Sequence, residues 1–256
     1  QYADYQRFRG FSEATIKRRN TTLGSFSRFL APLPLGQATA TLVTDFLTRW
    51  RSPRTRHAYR SDLSSFYLWA RRRELVTADP MVLVDPVRVP RALPRPIPAE
   101  AVPMIVATAQ DDTTRLACAL AAYAGLRRSE IAALDMVNVG PRSLVVRAGK
   151  GGKDRTVPLH PALRALLEGR RGPLFDVEGE ALGRRIKAHL EACGYAGTAH
   201  QLRHTFGTEL SRCTGGDLVT VGALMGHSST TTTLGYAALG GDRGAGAVSH
   251  MFDMAV

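Results

Sequence analysis

The sequence predicts a mainly α-helical chain with one small β-sheet, divided into two domains. Apolar residues recur at the three-and-four spacing of a helix face through most of the chain. One short stretch on either side of a glycine-rich turn alternates with the two-residue period of strands. A run of prolines, Pro80, Pro86, Pro90, Pro94, Pro96 and Pro98, separates a strongly basic first third from the remainder. At 256 residues the chain is long enough for two modest cores without disulfides or metal.

The first helix is predicted from Ser12, its N-cap, to Leu30, with Ile16, Leu23, Phe26 and Leu30 inward and Arg18, Arg19 and Arg28 mostly off that stripe. A second runs from about Thr41 to Trp50, with Leu42, Val43, Phe46 and Leu47 inward. A third opens with Ser52 as cap and Pro53 in the first turn, where the missing N–H costs nothing, and continues to about Glu74. Its apolar side is Tyr59, Leu63, Phe66, Tyr67 and Ala70; its other side carries Arg54, Arg56, Arg60 and Arg71 to Arg73. Beyond the prolines, Ala99 to Ala109 and Thr113 to Ala124 read as helices, and Ser129 to Leu134 as a short one capped by Ser129. Ser143 to Ala148 and Arg155 to Leu159 form a β-hairpin around Gly149 to Asp154. Pro161 starts another helix, and Glu180 to Tyr236 reads as almost wholly helical. No internal repeat is present, and the only low-complexity stretch is the glycine-rich tail after Tyr236.

The formal net charge is +12, a surplus that self-repels unless a polyanion neutralises it. Its distribution says more. Residues 1 to 91 hold 16 Lys and Arg against 7 Asp and Glu, a net of +9, while the remainder holds 18 against 15, a net of +3. A GC-rich coding sequence would explain why 30 of the cations are Arg and only four are Lys, but not this asymmetry. Any single helix-face arginine is ordinarily a solvated one. The set, on at least two helices of one small domain, reads as phosphate contacts that position a protein on duplex DNA, with Arg18, Arg19, Arg54, Arg56 and Arg60 as candidates. Cys118, Cys193 and Cys213 are odd in number and far apart, so neither a zinc site nor a disulfide framework is expected, and a reducing cytoplasm fits. No leader and no membrane span is expected; a chain that opens on Gln1 rather than Met is expected to have lost residues ahead of it.

Four segments carry chemistry: Gly125-Leu126-Arg127-Arg128-Ser129-Glu130; Gly149-Lys150-Gly151-Gly152-Lys153-Asp154-Arg155; His200-Gln201-Leu202-Arg203-His204; and Leu224-Met225-Gly226-His227-Ser228, followed nine residues beyond His227 by Tyr236. Phosphodiester cleavage without a metal needs a nucleophile, cations on the phosphoryl oxygens and an acid for the departing 5′ oxygen. Guanidinium suits the cationic part, because its planar fork contacts phosphate twice and stays charged. The three-residue spacing of His200 and Arg203 places both on one helix face. Two of the four lysines fall in one short turn of a chain that otherwise writes Arg. Lysine can give up a proton where arginine cannot, so a general acid explains the choice.

In this order the four segments resemble the tyrosine recombinases, the family of phage integrases and Xer-type chromosome-resolving enzymes, and the resemblance spans nearly the whole chain. It implies a helical core-binding (SAM-like) domain over 1–88, a linker over 89–97 that lies along DNA within a C-shaped clamp, and a catalytic domain over 98–256. Arg127 and Arg203 would grip the non-bridging oxygens, gaining strength as charge develops in the transition state. Lys150 would protonate the 5′-hydroxyl leaving group, with Lys153 the runner-up and more naturally a DNA-backbone contact. His200 would accept the tyrosine proton or hydrogen-bond the phosphate, and His227 would support the phosphate. Tyr236 would attack phosphorus, giving a 3′-phosphotyrosyl link that conserves the bond energy for religation without ATP. Glu130 is expected to buttress Arg127 or cap its helix, and His204 to be a structural hydrogen-bonding residue.

The resemblance further implies double-stranded DNA core sites, a homotetramer on paired sites that exchanges strands through a Holliday junction, and room for an accessory DNA-bending or directionality protein. It implies no cofactor, no metal and a cytoplasmic, nucleoid-associated place. The chain has no room for the arm-site domain of larger phage integrases, so an Xer-like enzyme or a minimal integrase is expected. The segment after Tyr236 departs from the family in its glycine-rich Gly240 to Gly246, a poor helix former. Two alternatives stand beside this reading: a type IB topoisomerase-like enzyme, which shares the catalytic set, and a catalytically silent DNA-binding regulator.

Overall fold

The computed structural model describes residues 1–90, 96–147, 154–226 and Val248. It separates into two compact units, Gln1–Ala92 and Leu93–Val256.

The first unit is built on α1 (Tyr2–Phe8), α2 (Glu13–Leu30), α3 (Ala40–Thr48) and α4 (Pro53–Arg72). The caps are local chemistry: Ser12, Thr39 and Ser52 accept the N–H of Thr15, Leu42 and Thr55, each satisfying one of the four donors that a helix start leaves over. The core gathers Phe26, Leu30, Val43, Phe46, Leu63 and Tyr67. Sequence periodicity does not announce α1. Its seven residues are held by packing, with Tyr2 buried, its ring 4.9 Å from Trp69 and 5.4 Å from Phe66 and its hydroxyl donating to Ser65. Short 3₁₀ turns at Leu35–Gln37 and Pro80–Leu83 complete the unit.

In the second unit, α5 (Val102–Ala107) leads to α6 (Asp112–Tyr123), which is buried almost all round and packs against α5, α10, α8 and α9. The N-cap of α6 is Asp111, whose carboxylate accepts the Thr114 N–H at 2.8 Å. Then come α7 (Arg128–Ala132), the antiparallel strands β1 (Ser143–Val146) and β2 (Arg155–Pro158), α8 (Pro161–Leu167), α9 (Gly179–Ala192), α10 (Ala199–Cys213) and α11 (Leu218–Met225). The strand register pairs Ser143 with Pro158 and Val146 with Arg155. Breaks at Cys193–Thr198 and Thr214–Asp217 interrupt what periodicity reads as one helical stretch from Glu180. The α7 cap also differs from expectation. Arg127, not Ser129, sits at the N-cap with extended backbone, and Glu130 reaches back to accept its N–H at 2.8 Å. No helix among the described residues is long and apolar enough to cross a membrane.

Candidate active site

Three segments of the second unit converge on one carboxylate. Glu130, in the first turn of α7, accepts from Arg127 Nη1 at 2.7 Å through Oε1. It also sits in the fork of Arg155, at 2.9 Å from Nη1 and 2.7 Å from Nη2. Arg203, on α10, approaches its Oε2 to 4.0 Å. Burial works to raise the Glu130 pKa, but the hydrogen bonds from Arg155 and Arg127 and the charge of Arg155 prevail and hold it down at about 2. The carboxylate is therefore ionised throughout the neutral range. Both expectations for Glu130 are met, since it buttresses Arg127 and caps its helix.

The backbone at the end of α11 supplies the second set of acceptors. Arg127 Nη2 donates to the Gly226 carbonyl at 2.7 Å, and Arg155 Nε to that of Leu224 at 2.9 Å. Arg203 donates to the carbonyls of Gly125 and Met225. The carbonyls of Leu224, Met225 and Gly226 are the negative end of α11, so cations belong there, while that of Gly125 lies just past the end of α6. The Arg203 side chain is only 2 % exposed, against 27 % for Arg127. Arg203 therefore turns inward rather than sharing an open face with His200 as spacing alone suggests. Burial, then the neighbouring Arg127 and Arg155, lower its pKa to about 10. Gly125, at φ +60°, permits this approach, because a Cβ there would run into the Phe206 ring of α10.

His200 lies exposed in the first turn of α10, which Thr198 opens, its N–H and Oγ1 donating to Gln201 Oε1. Burial of part of the ring, then His204, Arg203 and Arg127, push its pKa below the ordinary 6.5. A neutral imidazole able to accept a proton follows. His204 makes an edge-to-face ring contact with His200, centroids 4.2 Å apart. In an NMR titration the His200 imidazole is expected to titrate below 6.5 and to move upward in His204→Gln; a midpoint at or above 6.5 in the native chain would count against this environment.

Lys150, Lys153, His227 and Tyr236 lie outside the described residues. Among the described residues no three His, Cys, Asp or Glu side chains gather to hold a metal ion.

The arginines of the first unit divide into two kinds. Arg54 is exposed, and Arg18 is half-exposed beside Asp62 at 2.8 Å. Arg19 departs from the expectation of a DNA contact: its guanidinium lies inside, 3.1 Å from Gln6, 3.7 Å from buried Asp62 and 4.3 Å from the Phe11 ring centroid. A buried carboxylate needs cations close by, and Arg19 and Arg18 supply them. Arg60 is likewise engaged, donating to the carbonyls of Val84 and Asp85 at 2.6 and 2.9 Å. Arg56 donates to Arg51 O at 3.4 Å.

Motif reading includes Arg155 at the end of its second segment but gives it no role. Its signal was present as a cation at the first position of a strand, but its partners are distant in sequence.

The chain is 35% identical over 228 residues to the tyrosine recombinase XerD of Xanthomonas axonopodis pv. citri (strain 306), covering 74% of this chain and 74% of that protein. It is 31% identical over 265 residues to the tyrosine recombinase XerC of Myxococcus xanthus, covering 89% and 88%. Among solved structures it resembles a lambda integrase tetramer bound to a Holliday junction, with a TM-score of 0.72 and 20% identity, covering 90% of this chain and 76% of that one. The last likeness is one of fold. No family model matches the chain.

Proposed function

Because this chain belongs to the tyrosine recombinase family and is a site-specific DNA recombinase, we propose that Tyr236 is the nucleophile with which it cuts and rejoins DNA. Tyr236 Oη attacks the scissile phosphorus, the bond to the 5′ oxygen breaks, and a 3′-phosphotyrosyl link remains. The observation that carries this is the convergence of Arg127, Arg203 and His200 at the head of α10 and the end of α11, in the chain order of the four motif segments. Arg127 presents its exposed edge to a phosphoryl oxygen, and Arg203 adds charge from behind. His200 accepts the Tyr236 proton, His227 supports the phosphate, and Lys150 delivers a proton to the leaving 5′ oxygen.

The domain division we propose is core-binding over 1–88, linker over 89–97 and catalysis over 98–256. Arg18, Arg54 and Arg56 of the first domain, with Lys153 of the hairpin, meet phosphates of a core site. Arg19 and Arg60 instead brace the helices that present them. A homotetramer on paired sites fits this scheme, as does a nucleoid-associated place; the relatives named above are recombinases and an integrase, which favours neither a relaxing topoisomerase nor a silent regulator.

The test uses nicked duplexes of randomised core sequence, incubated with the protein and denatured in SDS. DNA that stays attached is sequenced. Selected duplexes linked through a 3′ phosphate are expected. Salt-sensitive binding with no attached DNA would overturn the proposal in favour of a regulator.

A further inference from the structure

Arg155 belongs to none of the roles above, yet it joins the Glu130 carboxylate to the end of α11. We infer that Arg155 is a positioning residue for phosphoryl transfer, fixing the Arg127 guanidinium by sharing Glu130 with it against the end of α11. The inference rests on the proposed function and adds a residue to it.

Geometry carries the argument. Glu130 Oε1 accepts from both Arg127 Nη1, at 2.7 Å, and Arg155 Nη1, at 2.9 Å. Glu130 Oε2 accepts from the Arg127 N–H, at 2.8 Å, and Arg155 Nη2, at 2.7 Å. The carboxylate plane is thus set by the rigid fork of Arg155, and Arg127 receives only one oxygen for its side chain. Its other Nη stays on the Gly226 carbonyl, and the side chain keeps 27 % of its surface accessible to a phosphate. Without Arg155 the carboxylate turns to face Arg127 with both oxygens and draws the guanidinium away from α11.

Two further observations place Arg155 at the same point. Its Nε holds the Leu224 carbonyl, so β2 is pinned to the helix end that leads into His227. At Gly226, whose φ is +62°, a Cβ would lie 3.0 Å from Arg155 Cδ and 3.0 Å from its Nη1, so a side chain there would be strained and would push the Arg155 side chain aside by a few tenths of an ångström. The glycine of the Gly-His-Ser segment therefore serves the Arg155 side chain as well as the turn. Arg155 itself is 8 % exposed and does not reach the surface, so its effect passes through Arg127.

The test compares Tyr236 attachment on two nicked duplexes of the sequence the native protein selects. One carries the ordinary scissile phosphate, the other a methylphosphonate, in which a methyl group replaces one non-bridging oxygen. The same bonds form and break in both, but the second lacks the charge that Arg127 meets. Arg155→Gln is expected to slow attachment about 100-fold on the phosphate, the scale of a lost transition-state donor, and by less than about 5-fold on the methylphosphonate. Arg155→Lys keeps a buried cation without the fork and is expected to behave alike; it carries the test should Arg155→Gln fail to fold. Equal losses on the two substrates, no loss on the phosphate, or full activity in Arg155→Lys would each overturn the inference. A native protein that attaches to neither duplex would overturn the proposed function itself, and this inference with it.

Discussion

Replacing Tyr236 by Phe is expected to abolish covalent attachment while leaving DNA binding intact. The substitution removes one oxygen and keeps the ring, so the guanidinium and imidazole groups are undisturbed. Loss of a covalent nucleophile costs on the order of 10⁶ in rate, or about 8 kcal/mol of barrier. Water is no substitute, because a hydrolysed phosphodiester retains no bond for the rejoining step. The measurement is SDS-resistant adduct on the selected nicked duplex, beside a binding isotherm for both proteins. An adduct that persists in Tyr236→Phe would assign the nucleophile elsewhere.

Replacing Glu130 by Gln is expected to have the largest effect on stability. Its carboxylate lies between Arg127 and Arg155 and within reach of Arg203. Removing the charge from a buried ion pair costs about 3–5 kcal/mol, because the cations that remain are still desolvated. The pH dependence has a definite sign. The folded carboxyl titrates at about 2 rather than near the usual 4.5, so its stabilisation is complete above the usual value and is lost as pH falls from there toward 2. Urea unfolding should show native stability decline over that acid window, with the decline reduced in Glu130→Gln. The same acid slope in both proteins would remove Glu130 from the account.

Local chemistry was legible and distant partnership was not. Ser12 and Ser52 were identifiable as caps because a side-chain oxygen and the N–H three residues on are neighbours in the sequence. At α7 the same logic chose Ser129. The structure uses Arg127 because the three-residue reach of Glu130 back to the N-cap N–H settles the start, whatever side chain the cap carries. Arg19 and Arg60 read as open cations because they stand off the apolar stripe, but Asp62 and the Val84–Asp85 carbonyls, which meet them, belong to other segments. Arg155 is the extreme case, with one partner 25 residues away and another 69. The motif residues Arg127, His200 and Arg203 were found because their spacing carries their identity. That Arg203 turns inward was not, since spacing fixes a face and not the depth to which a side chain is drawn.

The central helix α6 sets where this chain is free to diverge. Ala117, Ala119, Ala121 and Ala122 have no accessible surface, with α5, α8, α9 and α10 packed about them. Any added methylene there meets a filled interior and costs about 1–3 kcal/mol, a large fraction of the stability of a domain this size. Descendants of this sequence can change exposed positions such as Arg54 at almost no cost to folding. At these four positions of α6 they have only the choice between alanine and something equally small, so the surface can change while the frame stays.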